Sequence, residues 1–306
     1  MPRRGFCRDS ILLGIRDKTL YVGSGTVVTD TEIMRSSRDP RFATGQLVRL
    51  PASIAGISKF GWTALQTFEA TEENARTKMA QQRFDVLPIE NNGQVVEYFR
   101  TVQWNDYSRV VRDRMSEEDV IPYDTDIRDV IRSLSERSRA FFFLRDDRDV
   151  VGLISVVNLN RLPVKVWFFS LLSEVEVRLG QFISSRVSND DELYKLTLGA
   201  TTDPKYDEVK RRYQKDRASG LELRVVEYLY FSDLVRLVIT KELHGSLGYT
   251  PTRFKRSLGR LASLRDEIAH PARSLVRDTT AVAQLWRRIE RIDDALERLR
   301  RSLTSA

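Results

Sequence analysis

The segment from residue 61 to 163 alternates helix and strand signals twice, and this repetition constrains the fold more than any other feature of the chain. In the first unit, residues 71–83 have helical periodicity, and strand patterns at 85–89 and 94–99 flank the turn Asn91-Asn92-Gly93. The second unit repeats this order about 55 residues later, where residues 120–122 lead into a helix at 126–137, and strands at 140–144 and 150–156 flank a charged turn. We therefore expect a tandem α/β domain over residues 61–163.

This repeat resembles a pair of cystathionine-β-synthase (CBS) domains. The first copy carries the resemblance in Phe84-Asp85-Val86-Leu87-Pro88-Ile89 and Gly93-Gln94-Val95-Val96. The second copy carries it in Gly152-Leu153-Ile154-Ser155-Val156-Val157-Asn158. The resemblance covers about 100 residues and implies a cleft between the copies that holds AMP, ATP or a related adenosyl ligand.

In the CBS family the Ser/Thr hydroxyl approaches phosphate and the Asp that follows binds ribose hydroxyls. The resemblance therefore implies Ser155 on the phosphate side and Asn158 on the ribose, with Leu87, Pro88 and Ile121 in the same nucleotide-binding set. Asn158 stands where the family has Asp, and an amide accepts hydrogen bonds more weakly than a carboxylate. The first copy lacks both Gly and Asp in residues 97–103, so at most one orthodox site is expected. A pair that serves only for dimerisation remains an alternative.

Residues 164–306 have the sequence pattern of an all-α bundle. Apolar residues recur at helical spacing on four stretches, and a more charged helix is also expected. The predicted helices span 166–187, 206–218, 221–243, 250–270 and 279–303. The predicted fold class is therefore α+β, with a tandem CBS-like domain followed by a helical bundle.

One of only two histidines in the 306 residues closes the predicted helix 250–270. The stretch Leu264-Arg265-Asp266-Glu267-Ile268-Ala269-His270-Pro271 offers a fixed cation, a carboxylate and a group that titrates near neutral pH. Asp266 lies four residues before His270, on the same helix face, and could orient the ring. Arg265 lies five residues before His270, about 140° from it around an ideal helix, so the two side chains would not converge on one regular helix. Because the residue before a proline avoids helical geometry, His270 is expected at or just past the helix end.

A bundle whose penultimate long helix ends in this motif resembles the HEPN family, named for nucleotide-binding domains of higher eukaryotes and prokaryotes. Arg265, Asp266 and His270 match the three positions of its signature, and the resemblance covers about 130 residues. Many members are metal-independent endoribonucleases that act as dimers. The resemblance implies that His270 is the general acid or base, that Arg265 stabilises the pentacovalent phosphate and that Asp266 orients the site.

Other charged groups near this motif have weaker signals. Arg273 and Arg277 could hold the RNA backbone, although ordinary surface arginines would look the same. His244, beside Gly245, is expected to be a loop or cap residue. The basic last helix also carries acidic residues, so we interpret it as a solvated face with ion pairs four residues apart.

Composition bounds the remaining classes. The chain is 41% hydrophobic and 30% charged with a net charge of +7, a balance that suits an anionic partner. The single Cys7 excludes an internal disulfide, and two histidines make a zinc site improbable. No signal or spanning segment is apparent, so a cytoplasmic protein is expected. Residues 1–60 are the least informative; 19–28 is strand-like around Gly23 and Gly25, 35–41 suggests a polar loop, and the segment is expected to be β-rich and to pack on the CBS-like pair.

These signals combine into one hypothesis, a nucleotide-regulated endoribonuclease that acts as a homodimer on RNA, without a catalytic cofactor, in a toxin, defence or stress role. Two alternatives stay open. One is a non-catalytic nucleotide sensor whose helical domain binds a protein or RNA. The other is a purely structural dimer in which side chains such as Phe141, Phe142 and Phe143 close both pockets.

Overall fold

The computed structural model describes residues 21–22, 26–27, 49–103, 105–221, 223–270 and 272–304. The chain divides into two compact units, Met1–Leu47 and Val48–Ala306. In the first unit, β1 (Tyr21–Val22) and β2 (Thr26–Val27) form an antiparallel pair. The predicted Gly23 and Gly25 turn and the polar loop at 35–41 lie outside the described residues.

The second unit begins with α1 (Ala52–Ala55) and β3 (Ile57–Ser58) and continues into the first repeat. The repeat comprises β4 (Leu65–Gln66), α2 (Glu72–Gln82), β5 (Val86–Asn91), β6 (Gln94–Gln103) and β7 (Asp106–Arg114). Thr71 caps α2, since its side chain accepts a hydrogen bond from the Asn74 N–H. Asn92 and Gly93 both have positive φ, the geometry that a two-residue hairpin turn requires.

The second repeat has the same core order. It comprises β8 (Val120–Pro122), α3 (Ile127–Glu136), β9 (Phe141–Asp146) and β10 (Asp149–Ser155). Asp126 caps α3 through the Arg128 N–H. Each of the four matching elements starts 55 residues after its counterpart, so the predicted tandem repeat is present in the structure.

Each repeat forms a four-stranded sheet, with strand orders β4-β5-β6-β7 and β3-β10-β9-β8. In both sheets the first strand of the repeat is parallel to the second, which is antiparallel to the third. The sheets share one buried cluster, in which the Tyr98 ring centroid lies 5.3 Å from that of Phe141 and 5.4 Å from that of Phe143. One core of the tandem domain therefore lies between the two repeats, and a second buried cluster, which includes Met79, Leu87 and Phe99, lies within the first repeat.

Six helices follow, which gives the molecule its mixed α+β class. They are α4 (Leu162–Arg186), α5 (Asp190–Leu196), α6 (Asp207–Ala218), α7 (Phe231–Thr240), α8 (Pro251–Ile268) and α9 (Thr279–Thr304). Helix α9 packs against α4 and also against α3 of the second repeat. An ion pair between Arg128 and Asp293 joins α3 to α9.

The prediction of one helix over 221–243 is wrong. A 3₁₀ turn at Val225–Tyr228 precedes α7, and the two are separated by extended backbone at Leu229 and Tyr230. Asp233 fixes this break because its carboxylate accepts a hydrogen bond from the Tyr230 N–H, 3.3 Å away. No helix in the described part of the chain is long and apolar enough to cross a membrane.

Candidate functional site

Helix α8 carries the Arg265, Asp266 and His270 motif at its C-terminal end. Thr250 caps its start by accepting a hydrogen bond from the Arg253 N–H. The helix ends at Ile268, and His270 lies two residues beyond it with an exposed side chain. The prediction that His270 lies at or just past the helix end is confirmed.

The Arg265 side chain is fixed between α8 and α4. Its Nε lies 3.5 Å from Glu176 Oε2, and its guanidinium carbon lies 5.7 Å from the centre of the Phe169 ring. Its Nη1 lies 3.6 Å from Asp266 Oδ1. Although Nε is buried, it makes no hydrogen bond to any described residue. The guanidinium is thus positioned by an ion pair and a ring, and its donors are not saturated.

Glu176 belongs to this site but was missed from the sequence. Burial raises the pKa of its carboxyl group, the positive charge of Arg265 opposes that rise, and Asp266 adds to it. Glu176 lies on the long apolar helix α4, far from the motif in sequence. Only the packing of α4 against α8 brings it to Arg265.

Asp266 does not contact the imidazole. No hydrogen bond or ion pair joins the side chain of His270 to Asp266 or Arg265 within the described residues; Asp266 is largely exposed beside Arg265 instead. One protomer therefore presents Arg265 and His270 as separate groups, in keeping with their five-residue separation along the chain.

The loop that follows His270 is held by hydrogen bonds from other elements. Lys165 Nζ of α4 donates to the Arg273 carbonyl at 2.7 Å. Asn160 pairs with Val276 twice, since its Nδ2 donates to the carbonyl at 2.7 Å and its Oδ1 accepts from the N–H at 2.9 Å. The predicted RNA contacts Arg273 and Arg277 line one cavity of about 750 Å³ beside this loop.

His244, the other histidine, lies in a 3₁₀ turn at Leu243–Leu247, as expected for a loop residue. Its Nδ1 is buried and has no hydrogen-bond partner among the described residues. It contributes nothing to the α8 site.

The predicted nucleotide-binding residues are engaged within the protein. The Ser155 N–H and hydroxyl donate to Asn158 Oδ1 at 2.7 and 3.0 Å, and Asn158 is buried. Leu87 and Pro88 are buried in β5, and Ile121 is half-buried in β8. None of these five residues lines the cavity that the structure shows between the two repeats.

A different set of residues encloses a cavity of about 420 Å³ between the two repeats. Matching pairs from the starts of β5 and β9 face it, Asp85 and Val86 from one and Ala140 and Phe141 from the other. Thr279, the first residue of α9, also lines it. Its charged lining includes Arg100, Asp113, Asp119 and Arg139.

Sequence analysis missed the charged residues of this lining, and Asp119 is the most deeply buried of the charged ones. The Ser116 N–H and hydroxyl donate to Asp119 Oδ2 at 2.8 and 2.7 Å, the same arrangement as at Ser155 and Asn158. The pattern Ser116-Glu117-Glu118-Asp119 is visible in the sequence, but β7 separates it from the rest of the first repeat. The turn therefore follows the third strand of its sheet segment and not residues 97–103, which belong to β6.

The carboxylate of Asp119 is buried and ion-paired with Arg139. Burial raises the pKa of this carboxyl, but hydrogen bonds from Ser116 and the Arg139 guanidinium outweigh burial and keep the pKa below its usual range. Burial, with the nearby Asp119 charge, raises the pKa of Tyr98 to about 12. The cavity therefore offers a fixed carboxylate beside a neutral phenol at neutral pH.

Comparison of the sequence with models of known protein families and with curated proteins finds no match. In the described residues, no group of three or more His, Cys, Asp or Glu side chains is placed to hold a metal ion.

Proposed function

We propose that the protein is a ligand-regulated, metal-independent endoribonuclease, in which a HEPN-like dimer cleaves RNA and a CBS-like domain binds an adenine nucleotide. One observation carries the proposal. The exposed His270 and the half-buried Arg265 flank the start of a loop whose other end reaches the cavity between the repeats.

The chemistry needs only groups that the chain supplies. An imidazole can take the proton from the ribose 2′-OH or give one to the leaving 5′-oxygen. A guanidinium can stabilise the charge that develops on the phosphate in the transition state. We assign these roles to His270 and Arg265, and contacts to the RNA backbone to Arg273 and Arg277, which line the cavity beside the loop.

A second copy of the chain would complete such a site. Helix α4 exposes Leu162, Val166, Phe169 and Val177, which share one side at helical spacing. Phe169 is also the ring that underlies Arg265. A dimer that buries this apolar stripe would bring two Arg265 groups and two His270 loops close together.

The cavity between the repeats suits a nucleoside better than a free polyphosphate. Arg100 and Arg139 are already paired with Asp113 and Asp119, so their charges are compensated, whereas each carboxylate has more acceptor sites than one arginine uses and can still accept from ribose hydroxyls. Thr279 and the Asn160–Val276 hydrogen bonds connect this region to the His270 loop. A ligand that prefers one position of the loop would shift the activity.

The test is cleavage of RNA by the full chain in EDTA, with and without adenine nucleotides. We expect His270→Ala and Arg265→Ala to lower the cleavage rate by about 100-fold or more, as loss of a general acid–base or a charge-stabilising group does. Arg211→Ala, which removes an exposed arginine paired with Glu208 on α6, is the control and should cleave normally. Folding of each variant is checked by circular dichroism.

A non-catalytic nucleotide sensor is the second candidate. It is favoured by the separation of Arg265 from His270 within one protomer and by the engagement of Arg265 with Glu176. Nucleotide binding with no cleavage by the folded wild-type dimer would support this candidate. Cleavage that survives both substitutions would contradict the proposed active site.

A further inference from the structure

We infer that the groove between α8 and α9 binds the phosphate backbone of single-stranded RNA and leads it to the His270 loop. The inference rests on the proposed function because it names how the substrate is held. We call this feature the arginine groove. It is formed by Arg256 and Arg260 of α8 and Arg287 and Arg291 of α9, with Arg253 and Arg288 at its two ends.

The arginines converge in space although they lie on two helices. Arg260, Arg287 and Arg291 line both of two adjoining cavities, of about 440 and 390 Å³. Burial and then the positive charges of Arg260 and Arg288 lower the pKa of Arg291. The guanidinium groups are therefore close enough to repel one another.

The groove has little to neutralise this charge. Arg256, Arg260, Arg287 and Arg291 make no ion pair with any described residue. Three carboxylates lie in the lining. Glu267 pairs with Arg288 at the end of the groove, Asp294 is already bound by Arg298 and by the Tyr249 hydroxyl, and Glu290 is the third. A run of uncompensated arginines stabilises a polyanion that displaces its counter-ions on binding.

The groove continues toward the candidate active site. Its second cavity shares Glu267, Gln284 and Arg288 with the larger cavity that Arg273 and Arg277 line. From Arg253 to His270 the path measures roughly 25 Å along α8, taking 1.5 Å per residue. Several nucleotides of one strand fit along this length.

The lining favours recognition of the backbone over the bases. No aromatic side chain lines the two groove cavities, so the described walls offer no platform on which bases could stack. Guanidinium groups on both walls match phosphates that repeat along a strand. Binding is therefore expected to be independent of sequence and steeply dependent on salt.

The experiment measures binding without cleavage, in the His270→Ala background. A fluorescent oligouridylate is titrated with the full-length protein at several KCl concentrations, and affinity is followed by anisotropy. Adding Arg260→Ala and Arg287→Ala should weaken binding at least tenfold and reduce the slope of log affinity against log salt by about 1.4, at about 0.7 per phosphate contact on a single strand. The matched control is Arg300→Ala with Arg301→Ala, which removes two arginines that α9 pairs with Glu297.

Equal losses in the groove and control variants, or no binding of the RNA, would overturn the inference. So would polyglutamate that displaces the RNA at equal charge, since the groove would then be a site for acidic polypeptide. Binding through the groove by a protein that never cleaves RNA leaves the inference standing and rejects the proposed function. RNA cleavage by the wild type, together with unchanged RNA binding in the groove variant, would reject the inference and leave the proposed function standing.

Discussion

Arg265 lies between a carboxylate and an aromatic ring, and both come from α4. The ion pair with Glu176 is largely buried, so its Coulomb attraction must offset the cost of removing two charges from water. Glu176 bears part of that cost, because burial raises the pKa of its carboxyl group. Arg265 is consequently positioned by Glu176, a carboxylate whose charge is itself destabilised by burial.

Glu176→Gln tests this account through the pH dependence of stability. A carboxyl whose pKa is raised in the folded state binds its proton more tightly there than in the unfolded chain. The wild type therefore loses stability relative to the variant as pH rises and this carboxyl group loses its proton. We expect the difference in the free energy of unfolding to shift toward the variant as pH rises above about 4, measured by urea denaturation at a series of pH values.

Glu174→Gln is the control, since it removes a more exposed carboxylate that pairs with Arg178 on the same helix. A difference that stays constant with pH, or shifts toward the wild type, would show that Glu176 is not the strained partner of Arg265.

At the scale of elements, the two Ser-x-x-Asp/Asn turns close their repeats in the same way. Each turn uses one side-chain oxygen to accept both the N–H and the hydroxyl of the serine. They differ in charge, because Asp119 is ionised and paired with Arg139, whereas Asn158 is neutral. The first turn therefore contributes one of the acidic groups of the cavity, beside Asp85 and Asp113.

Removing that group should destabilise the domain. Loss of one partner from a buried ion pair costs about 3–5 kcal/mol, and we expect about 2 kcal/mol for Asp119→Ala because Arg139 retains contact with water. Asp119→Asn keeps the acceptor for Ser116 and mimics the second turn, so it should cost less. Chemical denaturation measures both, and equal costs would show that the charge contributes nothing.

Prediction from the sequence succeeded for elements whose signal lies within their own residues. Apolar stripes and capping residues located α2, α3, α4, α8 and α9 to within a few residues. It failed for β7, whose alternation is hidden by charged residues on an edge strand, and for α5, which at seven residues is too short for periodicity. The break before α7 was missed because the apolar run continues across it.

Helix α9 shows most directly which contacts the sequence does not predict. We predicted a solvated face with local ion pairs, and Arg298, Arg300 and Arg301 do pair with Asp294 or Glu297. Arg287 and Arg291 instead join arginines of α8. Contacts within one helix follow from spacing, whereas a groove between two helices depends on how they pack.

At the scale of the whole molecule, the tandem repeat and the helical bundle share a boundary around the cavity. Asn160 follows the second turn and holds Val276, and α9 begins at the cavity with Thr279. The path between the proposed ligand and His270 is thus a single loop. The relation between the two sites follows from the chain order and from packing, and only the chain order is visible in the sequence.

Thr279→Tyr should block a ligand in the cavity by filling it. A ligand that binds only the folded protein raises its melting temperature, so we expect AMP, ATP, S-adenosylmethionine or a cyclic dinucleotide to do so for the wild type. This shift should be lost in Thr279→Tyr and kept in Thr304→Tyr, a control at the other end of α9. A shift of the same size in both variants would place the ligand elsewhere.

The constant 55-residue offset makes the tandem domain open to engineering. Because β4, α2, β5 and β6 match β8, α3, β9 and β10 without insertion, either unit can be copied over the other with every strand start in register. The parts that differ, β3 and β7, lie at sheet edges. Because the acidic turn of Ser116 and Asp119 follows β7, outside the copied unit, a symmetrised domain built in this way would keep one acidic and one neutral turn while repeating the strands whose first residues line the cavity.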